Sequence, residues 1–350
     1  MKASHLVLIA LAGGAVPTVS CDPPVEPPPD LTAVEPLTPD LGFSFHIPPF
    51  QVPGGTETQD CYFVSVPDIN DGEDIWIDHF KIGQTPGSHH MNVFRVNSIV
   101  HLSGAPGDVV RGGECRISTN WSDWPLVANS QESGTDKPIV DWVLPEGVAQ
   151  RFEPGELLML QTHYVNGNIQ QTPRGGEVRI NFYKSPLSSP IEMGTLFATQ
   201  QSIRICQAPG ATQPTQVYSG SCSFPPGQEI HIAAANGHFH SRGTQFDILT
   251  WDGQRIDHPP AADLFYRSTD WNEPVMAIGL DAVVPAGGGV WWDCSYQWRE
   301  PSAGCDVINE RDSQQQGDCC YTFGNSAESA EHCNVFVYYW PKVESSVFCN

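Results

Sequence analysis

Leu157 to Gly167 reads LLMLQTHYVNG. The apolar and aromatic run from Leu157 to Val165 reads as a strand, and Asn166-Gly167 is the dipeptide that most readily takes the backbone of a tight hairpin turn. The same grammar repeats outward in both directions. Ile75-Trp76-Ile77 and Asn92-Val93-Phe94-Arg95-Val96 are short apolar or alternating runs, and Glu177–Tyr183 (EVRINFY) alternates with period two. Phe246–Trp251 ends at the Asp252-Gly253 turn, and Asn334–Trp340 (NVFVYYW) is stopped by Pro341. Helical periodicity is almost absent. With 32 Gly, 31 Pro, 10 Trp, 9 Tyr and 16 Phe, the composition also favours strands and turns. The expected fold is all-β, built from sandwiches or jelly rolls.

A chain of 350 residues suggests about two domains. The stretch Ser185–Pro190 (SPLSSP) is a natural joint, so residues 41–188 and 189–350 are the expected units. Upstream, Met1–Ser20 resembles a secretory signal: Lys2 precedes an apolar run from Leu6 to Val16 that is too short to span a bilayer. Thr18-Val19-Ser20-Cys21 resembles a lipobox, which makes Cys21 a candidate lipid anchor. Cys21–Asp40 is Pro-rich and acidic and reads as an extended tether outside any core. Asn120-Trp121-Ser122 is a glycosylation sequon in a eukaryotic secretory host.

Seventeen basic against 40 acidic residues leave a net charge of −23, which argues against a nucleic-acid groove and against docking on anionic lipid. Of 11 Cys, ten remain after Cys21, enough for five disulfides in an oxidising compartment. No CxxC spacing suggests a zinc ribbon or a thioredoxin-like centre. The expected location is secreted, periplasmic or at the cell surface.

Twelve His are present, and their grouping matters more than their number. His89 and His90 are adjacent, so on a regular strand they point to opposite faces. They can serve one ion only if the backbone kinks, which Thr85-Pro86-Gly87 makes plausible. His238 and His240 share one strand face, and Phe239 between them turns into the packing behind. His163 and His332 stand singly in strand contexts. Neutral imidazole suits copper, zinc, iron or nickel without choosing among them.

The order of these groups is more specific than any one of them. Cys61, His89-His90-Met91, Leu160-Gln161-Thr162-His163-Tyr164, His238-Phe239-His240 and Cys333-Asn334 before an aromatic strand resemble the copper type II, ascorbate-dependent monooxygenase family, which includes peptidylglycine α-hydroxylating and dopamine β-monooxygenases. The resemblance runs from about Cys61 to Cys349. It implies two consecutive β-sandwich (jelly-roll) domains, each with one copper, and two ions facing each other across a solvent cleft. His89, His90 and His163 would hold the electron-transfer copper, and His238, His240 and His332 the oxygen-activating one. Gln161 matches a family residue that shares the strand face of His163. The resemblance also implies disulfides Cys61–Cys115 and Cys294–Cys333, and Cys349 paired with Cys206 or Cys222. The remaining Cys305, Cys319, Cys320 and one of Cys206/Cys222 are expected to staple a segment over about Ser302–Ser329, without a bond between the adjacent Cys319 and Cys320.

Two departures bear on function. The family has Met where this chain has His332, and a third imidazole favours Cu(II) and also makes zinc acceptable. Met276 is the one substitute thioether considered, with no context that places it at the site. The peptide-amidating members hold a substrate carboxylate with an Arg at the position of Asn236 and a Tyr at that of Phe336. Only their Asn after the Cys is matched, by Asn334, so a peptide ending in glycine is not the expected substrate. The sequence-based expectation is an exported monooxygenase-like protein with two coppers, O2 and an external reductant such as ascorbate, acting on a small-molecule or peptide substrate that the sequence does not identify. The alternative is a non-catalytic copper carrier or sensor with a three-His second site. A zinc hydrolytic site at His238, His240 and His332 is a third reading. His79, His101, His231 and His258 match no ligand position, and Arg242 gains no role.

Overall fold

The structure is a computed structural model, described for residues 31–97, 104–113, 115, 124–131, 139–167, 173–210, 212–254, 257–272, 274–301, 304–305, 319–343 and 347–349. The expected signal segment Met1–Ser20, Cys21, His101 and the Asn120 sequon lie outside the described residues. Within them the chain is all-β. The strands of the first half are β1 (Gly42–Val52), β2 (Thr56–Ser65), β3 (Ile75–Gln84), β4 (Ser88–Arg95), β5 (Val109–Arg111), β6 (Leu126–Ser130), β7 (Ile139–Val143), β8 (Val148–Phe152), β9 (Leu157–Asn166), β10 (Arg174–Lys184) and β11 (Ile191–Glu192). Those of the second half are β12 (Gly194–Thr199), β13 (Arg204–Cys206), β14 (Thr215–Ser223), β15 (Ile230–His238), β16 (Gly243–Trp251), β17 (Leu264–Ser268), β18 (Ala277–Val284), β19 (Gly289–Gln297), β20 (Cys320–Thr322), β21 (Asn334–Trp340) and β22 (Val347–Cys349).

One sheet runs β1-β10-β3-β8-β11, with β7 also on β3, and a second runs β5-β2-β9-β4-β6. Their inner faces share one apolar core that includes Phe80, Trp142, Phe152 and Phe182 from the first and Cys61, Met91, Val93 and Leu160 from the second. A third sheet runs β18-β15-β21-β12-β22 and a fourth β14-β19-β16-β17, around a second core that includes Phe239, Phe246, Trp292 and Cys333. The short pair β13-β20 stands beside them. Beyond Ser185–Pro190, β11 still pairs with β8, adding to the first sheet.

The third sheet is covered on both faces along β15 and β21, while its edge strand β18 stays largely exposed. Along β21 the alternation sends Val335, Val337 and Tyr339 to the second core, and Phe336 and Tyr338 to the first. The neighbouring β15 contributes only Ala233 and Ala234 to the first core, where its pairing slips by one residue. Small side chains there let the third sheet lie close against the second. Burial of both faces explains why β21 is apolar along nearly its whole length instead of alternating with polar residues.

Five disulfides join Cys61–Cys115, Cys206–Cys320, Cys222–Cys349, Cys294–Cys333 and Cys305–Cys319. They pair all ten Cys beyond Cys21 and fit an oxidising compartment. One sequence expectation is corrected. The tether over residues 21–40 is not wholly outside the core, because Leu31 and Val34 are only 6% and 1% exposed. They form one turn of 3-10 helix and pack over Gly83 of β3, where a Cβ would lie 3.0 Å from each. Polar contacts fix the same segment: Asn181 Nδ2 donates to the carbonyl of Glu35 and the N–H of Leu37 to Ser44 Oγ.

Candidate metal centre

The six predicted ligands come from both halves of the molecule and meet where the second and third sheets abut. His90 lies on β4 directly opposite His163 on β9. The pairing of these two strands slips between Ser88 and His90, a bulge that bears on how the adjacent His89 and His90 face. Gly87, at φ +96°, supplies the backbone that enters it. His238 ends β15, and the i, i+2 spacing brings His240 back to the same side while Phe239 fills the second core. Gly243 makes room for that ring, since a Cβ there would sit 1.8 Å from Phe239. His332 precedes Cys333, whose disulfide to Cys294 ties the backbone to β19.

The rings form one continuous cluster. His89 lies 5.6 Å from His90 and 5.2 Å from His163 between ring centroids, but 4.8 Å from His238 and 5.4 Å from His240. His238 and His240 lie 5.2 and 4.4 Å from His332. The expectation of two groups facing each other across a solvent cleft is therefore corrected. His89 is as near to the second group as to its own, and its ligand nitrogen falls within 4.8 Å of those of His238 and His240. The physical cause is the thin Ala233-Ala234 face of β15, with Phe336 and Tyr338 packed into the first core beside it.

All six rings are buried. Burial, reinforced by neighbouring imidazoles, pushes the pKa values of His89, His90, His238 and His332 well below the usual range. His240 is lowered to about 4, chiefly by burial and against the opposing pull of the Ala330 carbonyl. These five rings are thus neutral near pH 7 and offer lone pairs without first releasing a proton.

Hydrogen bonds orient the rings. His238 Nδ1 meets Gln131 Oε1 at 2.8 Å, and His240 Nδ1 meets the carbonyl of Ala330 at 3.0 Å. Both partners are acceptors, so both rings carry their proton on Nδ1 and leave Nε2 open. His163 is held from the other side, its Nε2 donating to Glu57 Oε2 at 3.0 Å. Nε2 of His89 and of His240 is buried and meets no hydrogen-bond partner. Such orphaned nitrogens in a fully buried site are where an ion would sit. A cavity of about 30 Å³ lies among His90, His163, His238, His240 and His332, walled by the carboxamides of Gln59, Asn92, Gln131, Gln161, Asn325 and Asn334 and by Phe336. That is room for about two waters.

No family model matches the chain, and no curated protein does. Three solved structures show weak similarity. A protein of Eubacterium rectale described as secreted aligns over 80% of this chain and 68% of its own, at 10% identity and a TM-score of 0.20. PBSX exported protein XepA aligns over 76% and 90%, at 10% identity and 0.17. The VP2 subviral particle of infectious bursal disease virus aligns over 90% and 81%, at 8% identity and 0.15. Scores this low carry neither a fold nor a functional argument.

The remaining sequence candidates separate clearly. Gln161 is 1% exposed, lies opposite Asn92 across β4–β9, and accepts from its amide at 3.2 Å in the cavity wall. Asn236 is buried and its Oδ1 accepts from Asn129, which in turn accepts from the Tyr338 hydroxyl. Met276 belongs to the first core and is not among the residues lining the cavity. The Arg242 guanidinium lies 4.4 Å over the Tyr321 ring. His79 and His231 stack on Tyr183 and Trp340, and His258 pairs with Asp293.

Sequence reasoning missed Glu331. Its carboxyl is fully buried and accepts the backbone N–H of His240 at 2.9 Å and of Arg242 at 2.7 Å, fastening the His238–Arg242 segment to the one that carries His332. Burial pushes its pKa up to about 8, against those two hydrogen bonds. An acid beside a candidate ligand was the available signal. Glu57 was also missed, and it additionally accepts the N–H of Ala327 at 3.5 Å.

Proposed function

We propose that this chain is an exported copper-dependent monooxygenase-like protein whose six clustered histidines hold two copper ions. The observation that carries the reading is the gathering of six buried imidazoles, five of them held neutral, with two orphaned Nε2 atoms among them. The donor set fits a borderline transition ion, since among the described residues no thiolate and no carboxylate lines the cavity. The choice of copper rests on the motif order in the sequence.

Copper bound there would supply a one-electron redox change, which with O2 and an external reductant such as ascorbate serves hydroxylation of a C–H bond. The chain itself contributes orientation and exclusion. Gln131, the Ala330 carbonyl and Glu57 fix three of the rings. Among the described residues no cationic side chain lines the cavity, and Asn236 is committed to Asn129.

A second reading, a copper carrier or sensor without turnover, is favoured by one observation: a cavity of about 30 Å³ has no space for an organic substrate beside the ions. Metal analysis with oxygen uptake separates the readings. Two coppers per chain with reductant-dependent oxygen uptake support the oxygenase, and copper without uptake supports the carrier. Zinc with hydrolytic activity would remove both.

A further inference from the structure

The two halves of the cluster share a device. His90-Met91-Asn92 and His332-Cys333-Asn334 both read His-x-Asn, with the middle residue fully buried in a core. In both, the Asn side-chain nitrogen lies 3.2 Å from Nδ1 of the His two residues before it. In both, the Asn oxygen is buried without a partner. Side chains at i and i+2 share a strand face, which is why this spacing lets an amide reach back to a ring edge.

A carboxamide has nearly the same shape either way round, but the two orientations differ in chemistry. With the amide nitrogen against the ring, Nδ1 must accept, so Nε2 carries the proton and the ring has no lone pair to give. With the amide oxygen against the ring, Nδ1–H donates and Nε2 is open. Both orientations leave one buried amide atom unpaired, so the number of hydrogen bonds does not choose between them. The requirement of a free nitrogen does, and the neighbouring His240, held by the Ala330 carbonyl, already presents itself in that way.

We propose that Asn92 and Asn334 are positioning residues that turn their amide oxygens to Nδ1 of His90 and His332 and so hold both rings with Nε2 open toward the cluster. Asn334 then serves a ligand, not a substrate. A thioether has no second nitrogen to orient, whereas the imidazole at 332 does, so the Asn that the resembled peptide-amidating enzymes direct at substrate is here recruited by the histidine before it. On β4, Asn92 also reaches Gln161, and turning both amides lets Gln161 Nε2 donate to Asn92 Oδ1, which gives the otherwise unpartnered Gln161 donor a role.

The inference rests on the cluster being a metal centre, and its test has two readouts. Long-range proton–nitrogen correlation spectra of the metal-free, histidine-labelled full chain report which ring nitrogen is protonated, with His90→Gln and His332→Gln assigning the signals. Both rings are expected as the Nδ1–H form. The Nε2–H form at either would overturn the inference, and this readout needs no Asn variant to fold. In parallel, Asn334→Leu is expected to weaken copper binding about 10- to 100-fold, and Asn334→Asp to restore it. Unchanged affinity in a folded Asn334→Leu variant would also overturn it. Failure of the broader reading looks different: wild-type protein that takes up no copper yet shows both Nδ1–H rings removes the metal centre and leaves the tautomer assignment standing.

Discussion

Acidifying the metal-free protein from pH 7.5 to 5.5 should remove much of its stability. His89, His90, His238, His240 and His332 stay neutral in the folded chain because burial lowers their pKa values, while in the unfolded chain each titrates near the ordinary imidazole value of 6.5. Below 6.5 the unfolded state therefore binds more protons than the native one, and stability falls as pH falls. Over this window each ring costs about 1.4 kcal/mol, or about 7 kcal/mol for the five. Glu331 acts in the opposite sense. Its carboxyl, raised to about 8 from 4.5, takes up a proton on folding throughout the window and returns about 2.5 kcal/mol. The net loss is about 4.5 kcal/mol, against a typical total of roughly 5–15 kcal/mol. Urea unfolding of chelator-stripped protein at pH 7.5, 6.5 and 5.5, at constant ionic strength, measures it. A change below about 1 kcal/mol across the window would refute the claim that these rings are buried neutral in one cluster.

Other expectations concern single elements. Free copper at a hundred times its Kd should raise stability by about 2.7 kcal/mol per bound ion, about 5.4 kcal/mol for two, with a chelator reversing the shift in Tm. His163→Ala should abolish reductant-driven turnover while copper remains bound by the other histidines; full activity in that variant would remove the electron-entry assignment. Glu331→Gln replaces one acceptor with a donor facing a backbone N–H, and should cost about 1–3 kcal/mol in unfolding free energy and weaken metal binding. Removing the Cys294–Cys333 bond, which spans 39 residues, as the double Ser variant should cost about 4 kcal/mol and loosen the backbone beside His332.

Much of this was legible in the chain. Strand β21 is readable from Val335 to its end, because an unbroken apolar run there meets Pro341. The His238-Phe239-His240 geometry follows from the two-residue strand period alone, and the kink needed at His89-His90 is announced by Thr85-Pro86-Gly87. What could not be read is how sheets meet. The merging of two histidine groups into one depends on which face of β15 carries Ala233 and Ala234 and what lies against it, a tertiary fact with no local signature. Leu31 and Val34 were hidden by the Pro-rich composition around them, although their i, i+3 spacing suits one helical turn over Gly83. Asn92, Asn334, Glu57 and Glu331 become meaningful only once the rings they touch are placed.

X-ray absorption of the copper-loaded protein, with metal content measured on the same sample, addresses the centre most directly. Two coppers per chain with a nitrogen-only imidazole shell and no sulfur scatterer is the outcome expected if His332 stands in for a thioether within a single six-histidine cluster. Less than one copper per chain, or a sulfur atom bound to either ion, would contradict it.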